Sequence, residues 1–151
     1  MEIKQLTKED IPELLNLRIE QQKEYHECIN EEEKSIIDNT KKYLEENLNK
    51  DFYMYGAYKD EELVSICGYI VWLSLPTMTN IEGRIAYLCS AYTKKEHRGQ
   101  GIIKELLNKS LEECKKHGIK RIKLNSSKEN AIKTYSKLGF VKDETAMILD
   151  L

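Results

Sequence analysis

Several things are scarce in this 151-residue chain, and each scarcity closes off a class of protein. No apolar run approaches the ~20 residues that a membrane-spanning helix needs, so no membrane partner is expected. The opening residues, MEIKQLTKED, are charged and lack the apolar segment of a secretion signal. The cysteines, Cys28, Cys67, Cys89 and Cys114, are scattered without a C-x-x-C pair. That spacing suggests neither a zinc site nor a disulfide framework; buried, reduced thiols in a cytoplasmic protein are expected, with no metal. No repeat, low-complexity tract or linker interrupts the chain, and its length suits one domain, 1–151, with a real core.

Charge is plentiful but uneven. The net charge is −2. Residues 1–50 hold 13 acids and 8 bases, a balance of −5, whereas residues 94–142 hold 5 acids and 14 bases, a balance of +9. The basic stretch favours an anionic ligand. Its lysines are not interleaved with aromatics, which argues against nucleic acid. Most of them suit a solvated helix surface.

One stretch is more informative than the rest. Residues 96–103 read EHRGQGII. The apolar residues 85–91 before it have the character of a buried strand. After it, Ile103, Leu106, Leu107, Leu111 and Cys114 recur at helical spacing. Arg98, Gly99, Gln100 and Gly101 therefore lie on a strand-to-helix turn. Free N–H groups and the positive end of the helix dipole meet there, and glycines let an anion approach the backbone. A phosphate or pyrophosphate is the expected occupant.

The remaining pattern gives the order β-α-α-β-β-β-α-β-α-β-β. Ile3 and Leu6 mark a first strand. Asp10-x-x-Glu13 is a capping-box pattern with Thr7 as a competing start; Pro12, tolerated only near a first turn, favours Asp10. Ile11, Leu14, Leu15 and Arg18/Ile19 then form a helical stripe. Residues 31–49 read as a second helix. Residues 52–58 and 63–75 form a hairpin around a polar turn. Residues 84–93 are the strand entering the glycine turn, and the helix after it stops near His117-Gly118. Ile119, Ile122 and Leu124 mark a further strand. Residues 129–138 form a short helix stopped by Gly139, and residues 140–141 and 146–149 close the chain as strands. The fold class is α/β (α+β), with a mixed, mostly antiparallel sheet flanked by helices.

In this order of elements the chain resembles the GNAT N-acetyltransferase superfamily, whose members transfer acetyl from acetyl-CoA to an amine. Three pieces carry the resemblance: AYLCSAYTKKEHRGQGI, the helix after it, and NAIKTYSKLGF. The resemblance implies that Arg98, Gly99, Gln100, Gly101, Ile102, Ile103 and Lys104 cradle the pyrophosphate of acetyl-CoA. It implies that backbone groups of Ala91, Tyr92 and Thr93 pair with the pantetheine arm like an added strand. Ile103 stands where the family prefers a small residue. Tyr135 matches the family's general acid, a phenol that can protonate the departing thiolate. Seven residues earlier, where many members have a cofactor-contacting Asn, this chain has Lys128, with Asn130 nearby.

The general base is open among Glu24, His26, Glu82 and ordered water. His97 fits a phosphate or solvent contact, and His117 a helix end. Cys89 has no evident histidine partner and reads as a buried strand residue, not a nucleophile. The implied acceptor is a small-molecule amine or a peptide, attacking directly without a covalent enzyme intermediate. Homodimers are common in the family. An acyl-CoA-binding sensor or interaction module without catalysis is the competing reading, and a nucleic-acid-binding domain ranks last.

Overall fold

The computed structural model describes residues 1–27 and 32–151 in full and, of residues 30 and 31, the backbone only. Cys28 lies outside the described residues. The elements are β1 (Glu2–Gln5), α1 (Ile11–Tyr25), α2 (Asn30–Asn47), β2 (Phe52–Lys59), β3 (Glu62–Leu73), β4 (Arg84–Thr93), α3 (Ile102–Lys116), β5 (Ile122–Lys123) and α4 (Glu129–Lys137). Short 3-10 turns cover Lys8–Asp10 and Lys95–His97.

The strands form one five-stranded sheet in chain order, β1-β2-β3-β4-β5. The first four pair antiparallel; β5 joins β4 in parallel after the α3 crossover. The centre of the sheet is covered on both faces, so β3 is continuously buried from Leu63 to Tyr69 and does not alternate. On one face, Leu14 and Leu17 of α1 and Leu44 of α2 pack with Met54 and Ile66. On the other, Leu106, Leu107 and Cys114 of α3 pack with Tyr55, Tyr69, Cys67 and Leu88. Cys67 and Cys114 are buried free thiols, pushed up to about 12 by burial, as expected for structural cysteines.

Three expectations change. The capping box runs from Thr7 to Asp10, not from Asp10 to Glu13: the Asp10 carboxylate accepts from the Thr7 N–H at 2.8 Å and its hydroxyl at 3.0 Å. A 3-10 turn then leads into α1, with Pro12 in its first turn. The fifth strand has only two residues. The two closing strands are absent. The Phe140 N–H is taken by the Tyr135 carbonyl at 3.1 Å, capping α4 beyond Gly139. Thr145 folds back on Asp143 through its N–H and its hydroxyl. Residues 146–149 form an unbroken apolar run, and the two-residue β5 offers no ladder for them to extend.

Candidate active site

The site starts at an irregularity in β4. Between the pairs Ile66↔Tyr92 and Gly68↔Cys89, β3 advances two residues while β4 advances three. The extra residue makes a bulge, and Ser90 takes a left-handed φ of 53°. Gly68 sits opposite: a Cβ there would come within 2.1 Å of the Met54 sulfur. On its other edge β4 meets β5 only at Ala86↔Ile122 and Tyr87↔Lys123. Past Tyr87 β4 has no strand partner on this edge among the described residues, which leaves the edge beside the bulge unpaired at the C-terminal ends of the two parallel strands. That end of parallel strands is a common ligand position.

The glycine turn follows the end of β4 and leads into α3. Gly99 and Gly101 have φ of 76° and 80°, where any side chain is disfavoured. A Cβ at either would meet nothing within 4 Å, so the space above the loop is open. Helix α3 starts at Ile102 with Gly101 in the left-handed region and no side-chain cap, leaving its first amides for a ligand. Ile102 is buried, and Ile103 packs against the core below α3. The bulk at Ile103 thus points into the protein, not toward the anion. Gln100 is held by Lys59, whose ammonium donates to Oε1 at 3.2 Å. Lys104 is exposed. The loop's space, its free helix start and its basic neighbours fit the pyrophosphate of acetyl-CoA.

Arg98 ties the loop to two other elements. Its Nε donates to the Thr93 carbonyl at 2.9 Å. Its terminal nitrogens form a fork on Glu24 of α1, at 2.9 and 2.6 Å. The Tyr92 hydroxyl donates to the same carboxylate at 3.1 Å, and the guanidinium lies 5.4 Å from the Tyr92 ring centroid. Hydrogen bonds from Arg98 hold the Glu24 carboxyl below its usual range. Glu24 is therefore a poor proton acceptor and acts as an anchor. The carbonyls expected to face pantetheine already have one donor each. Gln21 donates to Ala91 at 3.4 Å, Ser65 to Tyr92 at 2.8 Å, and Arg98 to Thr93. Each keeps a second lone pair.

Tyr135 of α4 is half-buried against the α3 face of the core, with its ring edge-on to Phe140 at 5.8 Å. Its phenol is pushed up to about 12, mainly by burial and then by Cys67 and Tyr25. Its hydroxyl hydrogen-bonds to none of the described residues. Tyr25, at the end of α1, lies under the Lys128 ammonium, 5.2 Å from the ring centroid. The end of α1 thus approaches the start of α4. Asn130 lies exposed in the first turn of α4. His26 caps the exposed end of α1, beside Tyr25. Glu82 is exposed eight residues before Ser90, roughly 25 Å along extended chain, too far for a base at the bulge. The His97 Nδ1 is buried without a partner among the described residues. His117 caps α3 and meets the Tyr69 hydroxyl at 3.0 Å. Burial pushes the Cys89 thiol up to about 11, which removes it as a nucleophile near neutral pH. Among the described residues no cluster could hold a metal.

Comparison with known proteins decides the family. The family model for the acetyltransferase (GNAT) family matches residues 12–140. The chain belongs to the GNAT family. That match spans α1 through α4, so the bulged strand, the glycine loop and Tyr135 all lie within the GNAT region. Solved structures share the fold at low identity. A predicted acetyltransferase of Clostridium acetobutylicum, crystallised with acetyl-CoA, is 24% identical with a TM-score of 0.88, over 99% of this chain and 95% of that one. A ribosomal-protein-alanine N-acetyltransferase from Brucella melitensis is 19% identical with a TM-score of 0.75, covering 100% of both chains. An aminoglycoside antibiotic 6'-N-acetyltransferase from Acinetobacter haemolyticus is 17% identical with a TM-score of 0.73, over 100% and 98%. No curated protein matches the sequence.

Sequence reasoning missed Lys59, because nothing local links the end of β2 to a loop 41 residues later. It also missed the partnership of Arg98 with Glu24, which the fold creates across 74 residues.

Proposed function

We propose that the chain, as one catalytic unit spanning residues 1–151, transfers acetyl from acetyl-CoA to a primary amine by direct attack. The observation that carries this reading is the open glycine loop at an uncapped helix start, beside a bulged strand that has parted from its neighbour. Residues 98–104 hold the pyrophosphate, with Lys59 adding charge, and the bulge at Ser90–Ala91 presents backbone to the pantetheine arm. The amine nitrogen bonds to the acetyl carbon as the carbon–sulfur bond breaks. Tyr135, protonated at neutral pH, donates its proton or a hydrogen bond to the departing sulfur. Glu24 is committed to Arg98 and Glu82 is remote, so the amine loses its proton through ordered water or to His26. No metal is required.

A cytoplasmic setting suits the free thiols, and no helix among the described residues is long and apolar enough to cross a membrane. The acceptor chemistry of the two named structural relatives, an aminoglycoside and a ribosomal protein, makes both a small amine and a peptide reasonable starting substrates. The test is thiol release from acetyl-CoA with a panel of amines. Amine-dependent release supports the transferase. Tight acetyl-CoA binding with no amine-dependent release would instead support an acyl-CoA sensor.

A further inference from the structure

Arg18 is a partly buried guanidinium with no carboxylate partner among the described residues. It lies on α1 in line with Gln22 and Tyr25, since positions four and seven residues on share a helix face. This part of α1 faces β4: Cys89 packs against the core that α1 and α2 cover, and Gln21 reaches the Ala91 carbonyl. Arg18 donates to the Gln21 side-chain oxygen. The Gln22 amide, with its oxygen turned toward Arg18, accepts from both terminal nitrogens at 3.1 and 2.8 Å. Gln21 is only 6% exposed, and its own nitrogen donates to the Ala91 carbonyl at 3.4 Å. The amide is therefore fixed between the bulge and the guanidinium.

All these partners are neutral. Among the described residues no carboxylate pairs with Arg18, in contrast to Arg98, which forks onto Glu24. Burial accordingly lowers the Arg18 pKa from its usual value. A partly dehydrated guanidinium with only amide partners lacks the countercharge that normally offsets its desolvation. A planar carboxylate is the group it matches best, through two parallel N–H···O bonds. The location decides whose carboxylate this is. Through Gln21, Arg18 sits one side chain away from the Ala91 carbonyl at the bulge, and Tyr25, two turns further along α1, lies under Lys128 at the start of α4. That puts the guanidinium beside the bulge, on the side of the N-terminal helices.

We infer that the acceptor is an amine that also carries a carboxylate, held by Arg18 while its amino group reaches the bulge. This rests on the acetyl-transfer reading and narrows it. Polycationic acceptors are disfavoured, because their charge would meet Arg18 without a counterion.

The experiment compares free amino acids with their carboxamides, spermidine and an aspartate-containing peptide, using thiol release from acetyl-CoA. The same compounds are run in thermal-shift measurements that need no turnover. Wild type should favour the free acids over the carboxamides by roughly 10- to 100-fold in kcat/KM, the range of a charge-assisted pair. Arg18→Met should erase that preference without changing KM for acetyl-CoA; Arg18→Lys should restore part of it. Preference for the peptide over free amino acids, with the same dependence on Arg18, would identify a side-chain carboxylate as the source. Equal use of acids and carboxamides, a preference for spermidine, or a preference surviving in Arg18→Met would overturn the inference while leaving acetyl transfer intact. Acid-specific, Arg18-dependent thermal stabilisation without any turnover would uphold the inference and sink the transferase reading. Neither turnover nor stabilisation by any of the acids would overturn it.

Discussion

Replacing Glu24 with Gln removes a charge from the middle of the Arg98 network while keeping the side chain's shape. In the native protein that carboxylate accepts two bonds from Arg98 and one from Tyr92. Hydrogen bonds to a charged partner contribute about 1.5–3 kcal/mol each when desolvated. Here the Arg98 side chain is 40% exposed and that of Glu24 18%, so water screens the pair. The Gln oxygen also keeps one acceptor site. The net loss should be about 1–2 kcal/mol. For a domain of this size each kcal/mol moves Tm by about 2–4 °C, giving a fall of about 2–8 °C by calorimetry. Glu45→Gln, which removes a 3.9 Å surface pair with Lys41, should move Tm by less than about 2 °C. The pH dependence has a definite sign. Glu24 titrates below its usual 4.5 in the folded state, so its contribution is present above that pH and is lost as the pH falls through the folded value. The gap between wild type and Glu24→Gln should therefore close in acid. Equal Tm values for Glu24→Gln and Glu45→Gln at pH 7, or a gap independent of pH, would refute the view that Glu24 is an anchor. The same variant should raise KM for acetyl-CoA, because Arg98 no longer pins the loop to α1.

Tyr135→Phe should lower kcat by about 100-fold, the lower range for a general acid, with acetyl-CoA affinity and Tm unchanged; steady-state kinetics that leave kcat intact would remove the assignment. Gly101→Glu should abolish acetyl-CoA binding in calorimetric titration, since the proposed function puts the pyrophosphate in the open space at its Cβ. Gly101→Ala, which adds only a methyl group at a φ of 80°, should cost about 1–2 kcal/mol and retain measurable binding. Cys67 and Cys114 are pushed up to about 12 from 9.0. Their contribution is complete below the unfolded value and fades as pH rises toward 12, so denaturant stability should fall from about pH 9 upward. Cys67→Ala should flatten that fall, and an identical slope would show that other groups set it.

The parts of the fold that sequence reasoning found are those written in local periodicity and local stops. The strand Arg84–Thr93 and the helix after Gly101 lie where the apolar pattern and the paired glycines put them. Asp10 does stand at the N-cap of α1, as Pro12 suggested, but its carboxylate partners Thr7, so the capping box lies one turn earlier than the Asp10-x-x-Glu13 pattern suggested. The closing strands failed for a different reason. Apolar residues at 146–149 satisfy strand composition, but a strand also needs an edge, and β5 provides two residues. In the site, the glycine loop was readable because its chemistry is contained in consecutive residues. Glu24, Lys59 and Arg18 were not readable in their roles. Each is placed by a partner distant in sequence: Arg98, Gln100 and, through Gln21, the Ala91 carbonyl beside the bulge. The bulge itself leaves no mark in the apolar pattern of β4, because the extra residue matters only against the register of β3.

That this chain moves an acetyl group from acetyl-CoA to an amine is tested most directly by mass spectrometry of the acceptor. The purified protein is incubated with acetyl-CoA and the amine panel, beside matched reactions with Tyr135→Phe and Gly101→Glu. The predicted result is an acceptor heavier by one acetyl group on nitrogen, at a rate stoichiometric with thiol release. The product should be strongly reduced with Tyr135→Phe and absent with Gly101→Glu. Acetyl-CoA bound by the wild-type protein but returned intact, with every amine unmodified, would contradict it.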